Sequence, residues 1–148
     1  KEYRRQRQMC IRDRYDGNGE PRLCVHLTQR SCDVALGVPY NIAGYSFLLH
    51  LFAHLSNMKV GTFGHTLVDA HIYTKKADGS MEEYDHIPGL VEQTRRKTKH
   101  LPELKIDSNI KTLEDVMDLL DKDTETIMSK FELKNYDPEP FIPFKVAV

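Results

Sequence analysis

Gln29-Arg30-Ser31-Cys32-Asp33-Val34-Ala35-Leu36-Gly37-Val38-Pro39-Tyr40-Asn41-Ile42-Ala43-Gly44-Tyr45 is the stretch whose reading decides the fold. Just upstream, apolar Leu23, Val25 and Leu27 recur at every second position, which predicts a strand from Leu23 to Arg30. Asp16-Gly17-Asn18-Gly19 is a strong turn signal and makes that strand one arm of a hairpin. Gly37-Val38-Pro39-Tyr40-Asn41 then interrupts the chain, and a helix is predicted from Ile42 to about Ser56. Ile42, Tyr45, Leu48, Leu49, Phe52 and Leu55 recur at helical spacing, while Ala43, Phe47, Leu51 and Ala53 fill much of the other face. A helix apolar nearly all round is expected to be buried at the centre of the fold.

Further along, Val60 to Thr66 and Asp69 to Thr74 are predicted as short strands around a bend. Ala77 to Gly89 is polar, contains Gly and Pro, and is expected to be a surface loop. Leu90 to Lys99 reads as a short basic helix and Leu101 to Ile106 as a strand after it. Thr112-Leu113-Glu114-Asp115 has a helix-capping pattern ahead of an amphipathic helix carrying Val116, Leu119 and Leu120. Phe131-Glu132-Leu133 is expected to be a last short strand, and Pro138, Pro140 and Pro143 keep the tail extended.

A chain of 148 residues with 40 % apolar content can build the core of one domain. A formal net charge of −1 argues against a nucleic-acid partner, which would call for a basic stripe. The apolar runs are too short for a membrane span, and the absence of an apolar signal segment leads to the expectation of a cytoplasmic protein. Cys10, Cys24 and Cys32 are odd in number and lack CxxC spacing, so neither a disulfide framework nor a metal site is expected. Lys1 to Gln8 offers almost nothing to bury, and Met9 to Arg14 follows neither a helical nor a strand period. That hexapeptide resembles a translated sequencing adapter, so residues 1–14 are expected to be a non-native leader, with a solvated basic arm as the alternative. The domain proper is then expected over residues 15–148.

The seventeen residues from Gln29 to Tyr45 closely resemble the nucleotide-binding signature of thymidylate synthases. Two more blocks follow in the family's order: Gly64-His65-Thr66-Leu67-Val68-Asp69-Ala70-His71-Ile72-Tyr73, then Tyr136-Asp137-Pro138 running to Val146-Ala147-Val148. The resemblance implies an α+β fold shared with dCMP hydroxymethylases, a mixed β-sheet packed on a long buried central helix, usually assembled as a homodimer. It implies reductive methylation of dUMP to dTMP, with 5,10-methylenetetrahydrofolate as co-substrate and no metal.

The same resemblance assigns residues. Arg30 and Ser31 would contact the dUMP phosphate, a task suited to a forked guanidinium beside a hydroxyl. Gln29 and Cys32 fall in the same substrate-binding segment, although Cys32, like Cys24, could equally be a small buried hydrophobe. Asn41 would read the uracil edge, because a carboxamide offers one donor and one acceptor to match O4 and N3–H. It could also cap the helix that follows. Asp33 would bind the folate ring and assist proton transfers, or else bond structurally to backbone N–H groups. Gly37 would allow close approach of the ring, or serve as a turn glycine. His71 and Tyr73, two apart and on one face of a strand, would reach the sugar 3′-hydroxyl, or form a core pair. Arg30, Asp33 and Asn41 are the candidate catalytic residues. Ala147 belongs to a tail that would fold over the folate as a lid, or fray as chain ends do. The other six histidines are treated as ordinary.

A thiolate must attack the uracil ring for this chemistry. The family takes it from a Pro-Cys-His segment ahead of the hairpin. Here Cys10 is flanked by Met9 and Ile11, so it is expected to be a coincidence and this chain to be inactive as it stands. The alternatives are a pyrimidine nucleotide hydroxymethylase of the same fold and a non-catalytic nucleotide-binding fragment.

Overall fold

The computed structural model describes residues 7–15 by their backbone and residues 17–146 in full. Strands β1 (Arg7–Tyr15) and β2 (Pro21–Asp33) form an antiparallel hairpin, in register from Tyr15 opposite Pro21 to Arg7 opposite Gln29. Gly19 closes the turn at φ 76°, a conformation that side chains disfavour. The reading of Met9 to Arg14 as lacking a strand period did not foresee β1. An edge strand can be held by its neighbour's hydrogen bonds without showing the alternation that burial imposes. Strand β2 runs past Arg30 to Asp33, three residues beyond expectation.

Helix α1 (Gly37–Leu55) begins five residues before the predicted Ile42. Pro39 does not break it, because it lies in the first turn, where no intrahelical N–H is required. Asn41 is therefore a full turn inside the helix and not its cap. The cap residue is Leu36, which makes no side-chain capping bond. Leu49 and Ala53 of α1 pack on Leu23 and Val25 of β2, with Phe52, Met58, Val60 and Phe63 around them. The prediction of burial nearly all round is corrected here. Tyr40 is 73 % and Ile42 43 % exposed, since the small sheet covers only one side of the helix.

Strand β3 (Lys59–His71) returns parallel to β2, with α1 as the crossover that a parallel pair requires. It is one strand where two around a bend were predicted. Leu67 pairs with Gln29 and Asp69 with Ser31, so the ladder continues through the supposed bend. The order β1-β2-β3 makes a mixed three-stranded sheet. Its register shifts between Leu23 and Val25. Gly61 sits at that irregularity: a Cβ there would lie 2.5 Å from Cys24 Sγ and 2.6 Å from the Leu23 carbonyl oxygen.

Beyond β3, α2 (Ile87–Arg95) starts three residues earlier than predicted, with Pro88 in its first turn. The region expected to be only a surface loop thus contains the head of a helix and the fully buried His86. Strands β4 (Glu103–Ile106) and β5 (Phe131–Lys134) form a separate antiparallel pair. Between them, α3 (Leu113–Leu120) opens with the anticipated reciprocal cap. Thr112 Oγ1 accepts from Asp115 N–H, and the Asp115 carboxylate accepts from Thr112 N–H. A short α4 (Thr124–Met128), capped by Asp123, was not foreseen. Phe131 joins the second sheet to α1 through an edge-on contact with Phe47 at 5.0 Å. The tail from Tyr136 has no regular structure and returns to α2, where Arg96 Nη1 donates to the Pro140 carbonyl at 2.6 Å. No described helix is long and apolar enough to cross a membrane.

Candidate active site

Parallel strands β2 and β3 end together, with Asp33 paired to His71. Paired residues of neighbouring strands share a face, so both side chains stand on the same side of the sheet. The Val34 N–H donates to the His71 carbonyl at 3.0 Å and ties the two ends together. From there the chain turns sharply into α1. Asp33 Oδ1 accepts the N–H groups of Ala35 and Leu36 at 3.0 and 3.3 Å, and this holds the turn. The structural role considered for this carboxylate is thus present at Oδ1, while Oδ2 makes no hydrogen bond among the described residues.

One turn into α1, Asn41 is buried beside this carboxylate. Its Nδ2 donates to the Gly37 carbonyl, which leaves the second N–H and Oδ1 uncommitted among the described residues. Gly37 lies between the two: a Cβ there would be 3.6 Å from Asp33 Cβ and 3.8 Å from Asn41 Nδ2. Those are ordinary contacts, so packing within the chain does not by itself demand a glycine.

His71 Nδ1–H points to the Asp69 carbonyl at 3.2 Å, which leaves Nε2 as an acceptor. The Tyr73 ring meets the His71 ring edge-on at 5.3 Å. Next to Tyr73 stands His86, a residue that sequence reasoning set aside as ordinary. Its ring is 5.7 Å from Tyr73 and 5.0 Å from Phe144, and its Nδ1 is 3.9 Å from Asp33 Oδ1. Nothing in a polar run containing Gly and Pro marks one histidine as the buried member.

The remaining candidates divide between the two faces of β2. Gln29, Ser31 and Asp33 alternate onto one face, and Arg30 and Cys32 onto the other. Gln29 is buried; its Nε2 donates to the Ser31 carbonyl at 2.9 Å and its Oε1 accepts from His65 Nε2 at 3.0 Å. Burial, and secondarily the nearby His26, push the His65 pKa below its usual value, which favours the neutral donor in that bond. Cys32 is fully buried, with Sγ donating to the Gln29 carbonyl at 3.2 Å. Arg30 is exposed and makes no ion pair among the described residues. The structure therefore brings together Asp33, Gly37, Asn41, His71 and Tyr73. It does not bring Arg30 to that face. Cys10 lies opposite His26 in the β1–β2 ladder, but its side chain is outside the described residues, as is Ala147.

The family model for thymidylate synthase matches residues 6–148, nearly the whole chain. The chain belongs to the thymidylate synthase family. This is a family of methyltransferases that use methylenetetrahydrofolate. The chain is similar to the thymidylate synthase of Saccharomyces cerevisiae, 39 % identical over 133 residues, covering 90 % of this chain and 37 % of that protein. It is also similar to that of Candida albicans, again 39 % identical over 133 residues, covering 87 % of this chain and 36 % of that protein. The chain thus spans little more than a third of the length of these thymidylate synthases.

Proposed function

We propose that this chain is the part of a thymidylate synthase that binds dUMP and 5,10-methylenetetrahydrofolate, for reductive methylation of dUMP to dTMP. The observation that carries the reading is the meeting of Asp33, Asn41, His71 and Tyr73 at the ends of two parallel strands and the head of α1. Ligands of α/β units gather outside the carboxyl ends of parallel strands. Asn41 keeps one donor and one acceptor free, the pair that the O4 and N3–H of uracil require. Nε2 of His71 and the hydroxyl of Tyr73 are the groups offered to the sugar 3′-hydroxyl. Ser31 is the hydroxyl donor offered to the phosphate on the site's face, whereas Arg30, exposed and without an ion pair among the described residues, starts from the opposite face of β2 and would have to swing round the strand to join it. Gln29 would act indirectly, by holding the Ser31 carbonyl.

The folate co-substrate supplies the one-carbon unit and the hydride when bound. Asp33 suits its ring, because Oδ1 is held by two backbone N–H groups and Oδ2 is left to accept from ring N–H donors. The last residues, Ala147 included, would cover the folate and exclude water. The chemistry also needs a thiolate. Met9 and Ile11 flank Cys10 where the family carries Pro and His, so we read this chain as one that binds without turnover. A homodimer in the cytoplasm is the assembly and place this function implies. The central helix would then be buried all round once the rest of the domain and the partner cover its exposed face.

Thermal unfolding with dUMP tests the proposal. Ligand at a hundred times its Kd stabilises by about 2.7 kcal/mol, enough to raise the midpoint by several degrees. A rise with dUMP and none with dCMP is expected; no rise at millimolar dUMP would refute it. Intact mass after incubation with 5-fluoro-dUMP and reduced folate should reveal no covalent adduct, and an adduct on Cys10 would overturn the reading of that residue.

A further inference from the structure

His86 has an arrangement the chemistry above does not use. Its side chain is 1 % exposed, and its Nε2 lies 2.8 Å from the carbonyl oxygen of Lys145 in the tail. A carbonyl only accepts, so Nε2 carries the hydrogen. Among the described residues Nδ1 is buried without a hydrogen-bond partner, and the Asp33 carboxylate is the anion it approaches. The backbone N–H of His86 donates to the Tyr73 carbonyl at 3.1 Å, which fixes the residue to the end of β3. A second feature points the same way. Gly89, one turn into α2, leaves a seat for the tail: a Cβ there would come 2.5 Å from Phe144 Cε1 and 3.0 Å from Ile142 Cγ2. Phe144 fills that seat and closes edge-on over the His86 ring at 5.0 Å. Lys145 adds an ion pair with Glu83 on the far side.

We infer that His86, its own ring beside Asp33, is a positioning residue for the C-terminal tail, a hook that holds the Lys145 carbonyl and seats Phe144 on Gly89. It acts through the tail and the Asp33 end of the site without touching substrate. The purpose given to the hook, aligning a cover over the folate-binding carboxylate, rests on the function proposed above. The hook itself does not.

The test reads the tail directly on the full chain, without nucleotide, by using mass spectrometry to time the release of Val146 by carboxypeptidase, the step that cuts at the Lys145 carbonyl. His86→Phe keeps a ring and removes the donor, and release should be about fivefold faster, the effect of losing one hydrogen bond. His86→Gln restores an N–H near the Nε2 position, and release should return towards the parent rate, a recovery that loss of bulk packing would not give. Gly89→Ala favours helix α2 while blocking the Phe144 seat, so it should free the tail even if His86→Phe fails to fold. Parent-like release in Gly89→Ala, or in a folded His86→Phe, would overturn the hook. Failure of dUMP to stabilise the parent chain would instead sink the functional reading and leave the hook standing.

Discussion

Replacing Gly61 by alanine probes the irregularity on which the site depends. Before it, Leu23 faces Val60; after it, Val25 faces Phe63, so β3 carries one more residue than β2. The extra residue flips every later side chain of β3 to the other face. It is what sets His71 opposite Asp33; without it Asp33 would face Ala70. A Cβ on Gly61 would lie 2.6 Å from the Leu23 carbonyl oxygen, a backbone atom that cannot swing aside, and 2.5 Å from Cys24 Sγ. Gly64 is a control on the same strand, because its Cβ would meet only the ring of the exposed His26, at 2.7 Å from Nδ1. Overpacking against fixed atoms costs about 1–3 kcal/mol, whereas a movable exposed ring should yield for less than about 1 kcal/mol. Urea unfolding followed by circular dichroism should show the midpoint of Gly61→Ala falling by roughly 1 M and that of Gly64→Ala by much less. Equal midpoints for the two variants, with Gly61→Ala unchanged, would refute the bulge and the pairing of Asp33 with His71.

Asn41→Asp keeps the size of the side chain but removes its N–H donors, so thermal-shift titration should show dUMP stabilisation falling about tenfold or more in affinity, with dCMP gaining; an unchanged preference for dUMP would remove Asn41 from base reading. The carboxyls of Asp107, Asp115 and Asp123 are held below the usual range, chiefly by Lys130, by the Lys111 and Thr112 N–H groups, and by Thr126 respectively. Each has a folded value below its unfolded one, so its contribution is full above about pH 4 and is lost as the pH falls through the lowered values. Thermal midpoints recorded from pH 6 down to pH 2 should therefore drop most steeply below pH 4. His65 titrates below its usual value for reasons of burial, so its imidazole C–H resonances should shift with a midpoint under about 6.5. By the same sign its contribution is full above that pH and lost as the pH falls through the lowered value. A midpoint above 6.5 would contradict the burial of this ring.

Much of the framework was legible because burial writes a period into the sequence. Leu23, Val25 and Leu27 alternate and prove buried, and Leu49 and Phe52, at helical spacing, pack against Leu23 and Val25. Thr112 and Asp115 announced their reciprocal cap because both partners are local. Features set by distant backbone left no such trace. Met9 to Arg14 are paired by β2 without a period clear enough to mark a strand, α4 is too short to show one, and the extra residue at Gly61 looks like any strand glycine. The candidate site was legible as a set of residue types, since the signature from Gln29 to Tyr45 names them. Its geometry was not. Ending the predicted strand at Arg30 hid the alternation that separates Arg30 from Ser31, and starting α1 at Ile42 made Asn41 look like a cap. The burial of His86 depends on Tyr73, Asp33 and Phe144, which meet only in three dimensions.

The most direct trial of a nucleotide site at the joined ends of β2, β3 and α1 is a backbone amide NMR titration with dUMP. Shifts gathered at residues 31–41 and 69–73, saturating together with one dissociation constant, are the predicted result. Shifts confined to other parts of the chain, or none at millimolar dUMP, would contradict it.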